Sequence, residues 1–379
     1  MKRVMISAGE ASGDLHGSNL ARAVKSLDPE VEFYGLGGRR LREAGTELLV
    51  DLEHTAVMGL TEVLAGLGQV FSALRTLKAE LKKDPPAAVV LIDYPDFNLR
   101  LARAAHRAGV PVFYYICPQI WAWRIGRLKK MAELVDRRVV VFPFEKDFYE
   151  SRGLGADFVG HPLLDIMAPP RPRAQVKAEL GFAPDRNLLL MMPGSRRALT
   201  ALLAPVMFAA AGLLRVKYPD LQLAVSRADT LPPDFLDPFL EKAPGGIRVL
   251  AGDSHALQNA ADAALIVSGT STVETALMLT PMVVAYRMSR LTYFLGRMLV
   301  RTDHIAMANL IAGERVAPEL IQDEAAPERM AAEVDKILSD GEARRIMIEG
   351  LGRVRERLGG PGASRRAAGL LLETMSAVR

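Results

Sequence analysis

Short β-branched runs alternate with stretches of helical apolar spacing along this chain, and the alternation starts twice. Val4 to Ser7, Val31 to Leu36, Ala88 to Asp93, Val112 to Ile116, Arg138 to Phe142 and Phe158-Val159 read as strands; Leu15 to Leu27, Val57 to Leu81 and Leu99 to Ala108 read as the helices between them. This is the pattern of βαβ units, and it predicts a doubly wound parallel sheet. Pro169-Pro170-Arg171-Pro172-Arg173 then reads as a stiff linker, and the rhythm resumes at Leu188, Leu221, Ile247, Ala264 and Met282. After Pro327 the pattern is helical to the end, broken by Gly359-Gly360-Pro361-Gly362. The expected fold is therefore α/β, with one parallel-sheet domain over 1–168, a second over 174–345 and a helical tail over 346–379. With 379 residues, half of them hydrophobic, the chain can fill two cores. Ligands of such folds bind at the carboxyl ends of the strands, which places the expected chemistry in a cleft between the two sheets.

Several function classes drop out on composition. No apolar stretch reaches the ~20 uncharged residues of a spanning helix, and Met1-Lys2-Arg3 runs straight into a strand pattern, so a cytosolic protein is expected. One cysteine, Cys117, excludes an internal disulfide, and six histidines show no metal-ligand spacing, so metal catalysis is not expected. A formal charge of +4 suits anionic substrates or an anionic lipid surface and does not require nucleic acid.

Two junctions in the second half carry the clearest chemistry. Leu188-Leu-Leu-Met-Met-Pro-Gly194-Ser195-Arg196 and Ala264-Leu-Ile-Val-Ser268-Gly269-Thr270-Ser271-Thr-Val-Glu274 each break from an apolar run into glycine and hydroxyl residues where a helix can begin. Backbone N–H groups and a helix dipole would point outward together there, which suits phosphate. Arg196 adds a planar cation for a diphosphate, and Glu274 an acceptor for ribose hydroxyls, so a nucleoside diphosphate is the expected occupant.

In the first half, Ser7-Ala8-Gly9-Glu10-Ala11-Ser12-Gly13-Asp14 ends the first strand in a turn that Ser12 or Asp14 can cap. Its spacing is not a dinucleotide fingerprint, and no acidic residue ends the second strand pattern, which disfavours nicotinamide cofactors. Ile92-Asp93-Tyr94-Pro95-Asp96-Phe97-Asn98 sets two carboxylates three residues apart after a strand. Asp96 is the favoured general base, with Asp93 expected in hydrogen bonds to backbone, and the reverse order, Glu10 and His16 as alternatives. Trp121 and Trp123 share one loop and suit a wall against a sugar or lipid, while His161 either lines the cleft or holds the hinge. Val63, Leu64, Leu67, Val70 and Phe71 form one helical stripe, read as core or as a surface for acyl chains or a bilayer.

In their order these segments closely resemble the lipid-A-disaccharide synthases, from Ser7 to Asp14 through Met58-Gly59-Leu60, Asp93 to Asn98, Trp121-Ala-Trp123, Pro143-Phe-Glu145, Gly160-His-Pro162, Pro193-Gly-Ser-Arg196, Ser268 to Glu274 and Met307-Ala-Asn309 to Pro318-Glu-Leu-Ile-Gln322. The resemblance implies a GT-B fold of two Rossmann-like domains, the first holding acceptor and the second UDP, with C-terminal helices crossing back to the first, exchanged between subunits in a homodimer. It implies an inverting, metal-free and cofactor-free glycosyltransferase that moves 2,3-diacylglucosamine from UDP-2,3-diacylglucosamine to the 6-hydroxyl of 2,3-diacylglucosamine 1-phosphate (lipid X) at the cytoplasmic face of the inner membrane. Gly194, Ser195, Arg196, Ser268 to Ser271, Glu274 and, by likeness alone, Asn309 would hold UDP; Glu10, Ser12, Trp121, Trp123, His161 and the Val63 to Phe71 stripe would face acceptor and lipid. Two departures stand out: Leu199-Thr200 where the family commonly carries an acidic residue, and a one-residue difference in the opening turn. The alternatives are an enzyme like the UDP-N-acetylglucosamine 2-epimerases and a non-catalytic binder of UDP-sugars.

Overall fold

The computed structural model describes residues 2–52, 62–123, 125–288, 293 and 304–377, without the side chains of 62–67 and 122–123. Met58, Gly59, Leu60 and the side chains of Val63, Leu64, Leu67 and Trp123 therefore lie outside the described residues. The chain divides into two compact units: 1–166 with 358–379, and 167–357.

The first unit is built on seven strands: β1 (Lys2–Ala8), β2 (Val31–Gly37), β3 (Glu47–Asp51), β4 (Ala88–Ile92), β5 (Val112–Tyr115), β6 (Arg137–Val140) and β7 (Asp157–Phe158). They pair in the order β3-β2-β1-β4-β5-β6-β7, all parallel. Strands β4 and β5 are buried along their whole length, as expected of strands covered on both faces. The edge strand β3 reads Glu-Leu-Leu-Val-Asp and is nowhere fully buried, so it carries too weak an apolar pattern to have been read from sequence. Leu77, Leu101, Tyr114 and Met131 fill the core on one face. The C-terminal helix Ala363–Ser376 packs on the helix Ala11–Leu27 of this same unit. Arg366 fastens the connection, donating to the carbonyls of Val159 (2.8 Å) and Gly360 (2.8 Å), and His161 N–H donates to Leu358 O (2.9 Å). The helix Gly341–Arg357, which the sequence reading divides at 346, belongs wholly to the second unit.

The second unit repeats the winding with β8 (Leu188–Met192), β9 (Gln222–Arg227), β10 (Ile247–Ala251), β11 (Ala263–Val267), β12 (Met282–Tyr286) and β13 (Glu319–Ile321), in the parallel order β10-β9-β8-β11-β12-β13. The helix Arg197–Lys217 is the one among the described residues long and apolar enough to cross a membrane. Leu203, Met207, Phe208, Ala211 and Leu214 on it fill the core beneath β8 and β11, so one face of the helix is buried in the fold, while Leu202, Leu213 and Val216 on it are exposed. On the stripe helix Glu62–Lys83, Val70 packs against the first core and Phe71 is 53% exposed.

In each sheet the winding reverses beside the first strand, between β1 and β4 and between β8 and β11. A crevice opens at the carboxyl ends of such strands because the helices that follow leave on opposite faces.

Candidate functional site

In the second unit both sequence-flagged junctions border one cavity of about 580 Å³ at the carboxyl ends of β8 and β11, and Gly194, Ser195, Arg196, Ser268, Thr270 and Glu274 all line it. Gly194 has φ +118°, and a Cβ there would sit 3.3 Å from Val267 Cγ1, so the turn needs glycine. Its carbonyl accepts from Thr200 Oγ1 at 3.1 Å, which places a hydroxyl, not an acid, inside the helix that follows. That is where the Leu199-Thr200 departure finds its local role. Arg196 is the N-cap of the helix Arg197–Lys217, with Thr200 N–H donating to its carbonyl at 2.9 Å. The earlier amides of that turn have no partner within the helix. Arg196 is exposed, and among the described residues its guanidinium makes no hydrogen bond or ion pair. The result is a donor-rich, cationic wall.

Across this cavity the helix Thr270–Leu277 starts at Gly269, and Glu274 stands in its second turn. Gln258 Nε2 donates to Glu274 Oε2 at 3.3 Å and His255 Nε2 lies 4.0 Å from the same oxygen, so the carboxylate is oriented from the helix Ser254–Ala260. The hydroxyl protons are less available than the sequence suggests. Ser268 Oγ donates to Ile305 O (2.7 Å) and Ser271 Oγ to Val267 O (3.4 Å), leaving their lone pairs but not their protons for a ligand.

The Asn309 side chain is spent within the fold. Its Nδ2 donates to Ala317 O (2.9 Å) and Glu319 Oε1 (2.7 Å), while its Oδ1 accepts from the amides of Val316 and Ala317 (2.9 Å each). A fully buried amide with all four positions used has nothing left for a nucleotide. Glu319 in turn accepts from the amides of Ile305 and Ala306 (3.0 Å each), so Asn309 braces the segment that Ser268 also grips. Sequence reasoning missed Ser226 and Arg227 at the end of β9, Ser254 after β10 and Tyr286 at the end of β12, all lining the cavity; strand-end position was their only signal.

The first unit presents different chemistry. Asp93 and Tyr94 follow β4 with φ +43° and +46°, two consecutive non-glycine residues in the left-handed region. Asn98 holds this turn from beneath: its Nδ2 donates to Asp93 O (2.7 Å) and Ile92 O (3.1 Å), its Oδ1 accepts from Ser7 Oγ (2.7 Å), and Tyr114 Oη also donates to Asp93 O (2.7 Å). So it is the carbonyl of Asp93 that the backbone bracket claims. The Asp93 carboxyl is half-buried, and burial followed by the nearby negative charge of Glu10 raises its pKa above the ordinary value, against a lowering hydrogen bond from the Tyr94 amide. Asp96, by contrast, is 73% exposed and ion-paired with Arg127. The Asp93 carboxyl thus keeps the expected backbone hydrogen bond and is the more buried of the two, while Asp96 stands at the surface.

A cavity of about 510 Å³ lies at this switch point, lined by Gly9, Glu10, Arg39, Arg40, Leu52, Val70 and Tyr94 among others. Gly9 is required by Tyr94, whose ring atoms would stand 2.1 Å from a Cβ. Arg39, Arg40 and Tyr94 are lining residues that sequence reasoning did not single out. Asp14 does not cap its own helix: its oxygens accept from the amides of Gly38 (2.7 Å), Arg40 (3.0 Å) and Leu41 (3.1 Å), closing the N-terminus of the helix Arg39–Glu43. Ser12 is exposed and makes no cap either.

Trp121 and His161 sit in an aromatic cluster of the first unit. The Trp121 indole meets Phe144 edge-on at 4.9 Å, Phe144 stacks on Phe142 at 5.6 Å, and Phe142 lies 5.0 Å from the His161 ring. His161 is buried, and its Nδ1 accepts from Leu163 N–H at 3.2 Å; burial and the neighbouring His16 push its pKa down to about 3. Of the two places expected for His161, its geometry matches the second: a neutral brace where the C-terminal segment rejoins the unit.

Comparisons with known proteins converge on these features. A model of the family described as "Lipid-A-disaccharide synthetase" matches residues 4–368. The chain is 49% identical to a lipid-A-disaccharide synthase of Geobacter metallireducens, covering 100% of this chain and 98% of that one. It is 48% identical to the corresponding protein of Geobacter sulfurreducens over 98% of this chain and 97% of that one. Among solved structures, a UDP-GlcNAc 2-epimerase of Neisseria meningitidis bound to UDP-GlcNAc superposes with a TM-score of 0.66 at 12% identity, covering 98% of this chain and 100% of that one. MurG of Acinetobacter baumannii superposes with a TM-score of 0.61 at 16% identity and the same coverage. Likeness at that identity establishes the fold, two parallel-sheet α/β domains of the GT-B kind, and does not favour the epimerase reading. With its whole length matched and its two strand-end sites in place, the chain belongs to the lipid-A-disaccharide synthetase family of glycosyltransferases.

Proposed function

We propose that the chain transfers 2,3-diacylglucosamine from UDP-2,3-diacylglucosamine to the 6-hydroxyl of 2,3-diacylglucosamine 1-phosphate, with inversion, giving a β-1,6-linked disaccharide 1-phosphate and UDP. The observation that carries this reading is the convergence of Arg196, the open amides after β8 and Glu274 on one cavity of nucleotide size. The chemistry divides between the units. Arg196 and the first-turn amides stabilise the charge that gathers on the departing diphosphate, and Glu274 accepts from the ribose hydroxyls. Asp93 takes the proton of the attacking hydroxyl: its raised pKa makes it a stronger base than an ordinary aspartate, whereas Asp96 is committed to Arg127. The first-unit cavity, with Arg39 and Arg40 beside Leu52 and Val70, offers cations and apolar surface to a phosphorylated, acylated sugar.

The exposed Phe71 next to Val70 supports a peripheral contact with the cytoplasmic face of the inner membrane, where acylated substrates reside. The test is direct. Purified chain mixed with UDP-2,3-diacylglucosamine and lipid X yields, by mass spectrometry, the disaccharide 1-phosphate; UDP release without the disaccharide, or no reaction, rejects the reading.

A further inference from the structure

Glu145 is 1% exposed, in the first turn of the helix Pro143–Glu150 that follows β6. Among the described residues it has no cationic partner. Its Oε1 accepts from the Trp121 indole Nε1–H at 3.1 Å and its Oε2 from the Phe142 amide at 3.3 Å. A carboxylate buried without a counter-ion is a costly way to fix a backbone amide. The bond from Trp121 is the informative one, because it ties the carboxylate to a part-exposed aromatic on the separate helical turn Ile120–Trp123. With its edge against Phe144 and its N–H on Glu145, the Trp121 ring is fixed from two sides while part of it stays open to solvent. A flat, pre-oriented aromatic with an open side suits a sugar ring or an acyl chain. Glu145 also lies within electrostatic reach of Asp93, so the pair belongs to the same end of the sheet as the proposed base.

We propose that Glu145 is a positioning residue for acceptor recognition, its carboxylate holding the Trp121 indole in the orientation that packs against the acylated sugar. This rests on the assignment of the acceptor to the first unit. Burial raises the Glu145 pKa to about 7, against hydrogen bonds from Trp121 and the backbone. Of the groups facing it, burial pushes Cys117, Tyr149 and Tyr114 far up and His161 down to about 3, out of that window; Asp93 is also raised, and the Glu145→Gln control separates its titration from that of Glu145.

Steady-state kinetics with acceptor and donor varied separately test the proposal. Glu145→Leu, which removes the acceptor of the indole proton, raises the acceptor KM about tenfold or more and leaves the donor KM within about twofold. Glu145→Gln, whose amide oxygen still accepts from the indole, restores the acceptor KM to within about threefold of the parent. Trp121→Phe gives the same acceptor defect from the other side, with Glu145 itself kept, and decides the matter if Glu145→Leu does not fold. An unchanged acceptor KM in Trp121→Phe, or a Glu145→Gln variant as damaged as Glu145→Leu, overturns the proposal. The chain has two tryptophans, so Trp123→Phe leaves Trp121 as the sole tryptophan, excited selectively over the tyrosines. Its fluorescence then titrates with a midpoint near pH 7 and stops titrating when Glu145→Gln is added; a flat trace in the parent also overturns the proposal. If the parent makes no disaccharide, the proposed function falls, and the fluorescence alone still decides whether the carboxyl group governs the indole.

Discussion

Between β1 and β4 the first sheet ends in Glu10, a strained Asp93-Tyr94 turn and a buried amide bracket; between β8 and β11 the second ends in Gly194, hydroxyl residues and the exposed cation Arg196. Both crevices arise from the same reversal of winding, and each bounds a cavity of similar size. Their chemistry is opposite. Burial and an acidic neighbour raise a carboxylate pKa in one, while open amides and a guanidinium await negative charge in the other. The fold provides the place, and the few residues just past each strand decide what happens there. The turns differ in how they are held for the same reason. A phosphate must approach backbone, so glycine is used; an aimed carboxylate needs a side chain, so strain is accepted and Asn98 holds it.

The sharpest way to break this contrast is to neutralise Asp93. Asp93→Asn lowers kcat by about 10²–10⁴-fold with UDP affinity unchanged, whereas Asp96→Asn costs less than about tenfold. The reverse ranking would return the base to Asp96. The sign of the pH dependence follows from the raised pKa. The active base is ionised, so the rate falls as pH drops through a midpoint above the usual aspartate range, and Glu10→Gln moves that midpoint downward by removing the negative neighbour.

On the other sheet, Arg196→Ala lowers kcat by about 10²–10³-fold and also weakens UDP binding, measured by calorimetry, as the proposed contact with the leaving group requires. Arg196→Lys recovers part of each, since an ammonium keeps the charge and loses the paired geometry. Equal UDP affinity in Arg196→Ala would remove the cationic half of the comparison. The smallest effect probes the bracket. Asn98→Ala leaves Ser7 Oγ without its acceptor and Asp93 O with one donor fewer, and chemical denaturation should show a loss of about 2–3 kcal/mol. No loss of stability would mean that the left-handed turn holds itself.

Much of this was legible in the residues. The buried strands β4, β5, β8 and β11 declare themselves as continuous apolar runs, and the parallel winding follows from the helices between them. Short edge strands do not, as β3 and the three-residue β13 show, because their pattern is weak and their ends are polar. At the site, Arg196 and Glu274 were readable because strand-to-helix turns put chemistry at predictable offsets. Asn309 was not, since an amide facing a nucleotide and an amide bracing a loop look the same in one dimension. His161 likewise reads as a site residue and is a buried brace.

The sequence alone settles what is local or periodic: the two parallel-sheet units, the glycine-containing helix starts after β8 and β11, and the pair of acids after β4. Only the tertiary structure decides how residues far apart along the chain share a polar network. Asn98 reaches back to Ser7, Asp14 caps a helix it precedes by more than a turn of sequence, and Trp121 finds Glu145. Those pairings set burial and charge proximity, which fix proton affinity and free donors. Hence the environments of Asp93 and Asp96 are separated by packing and not by their spacing.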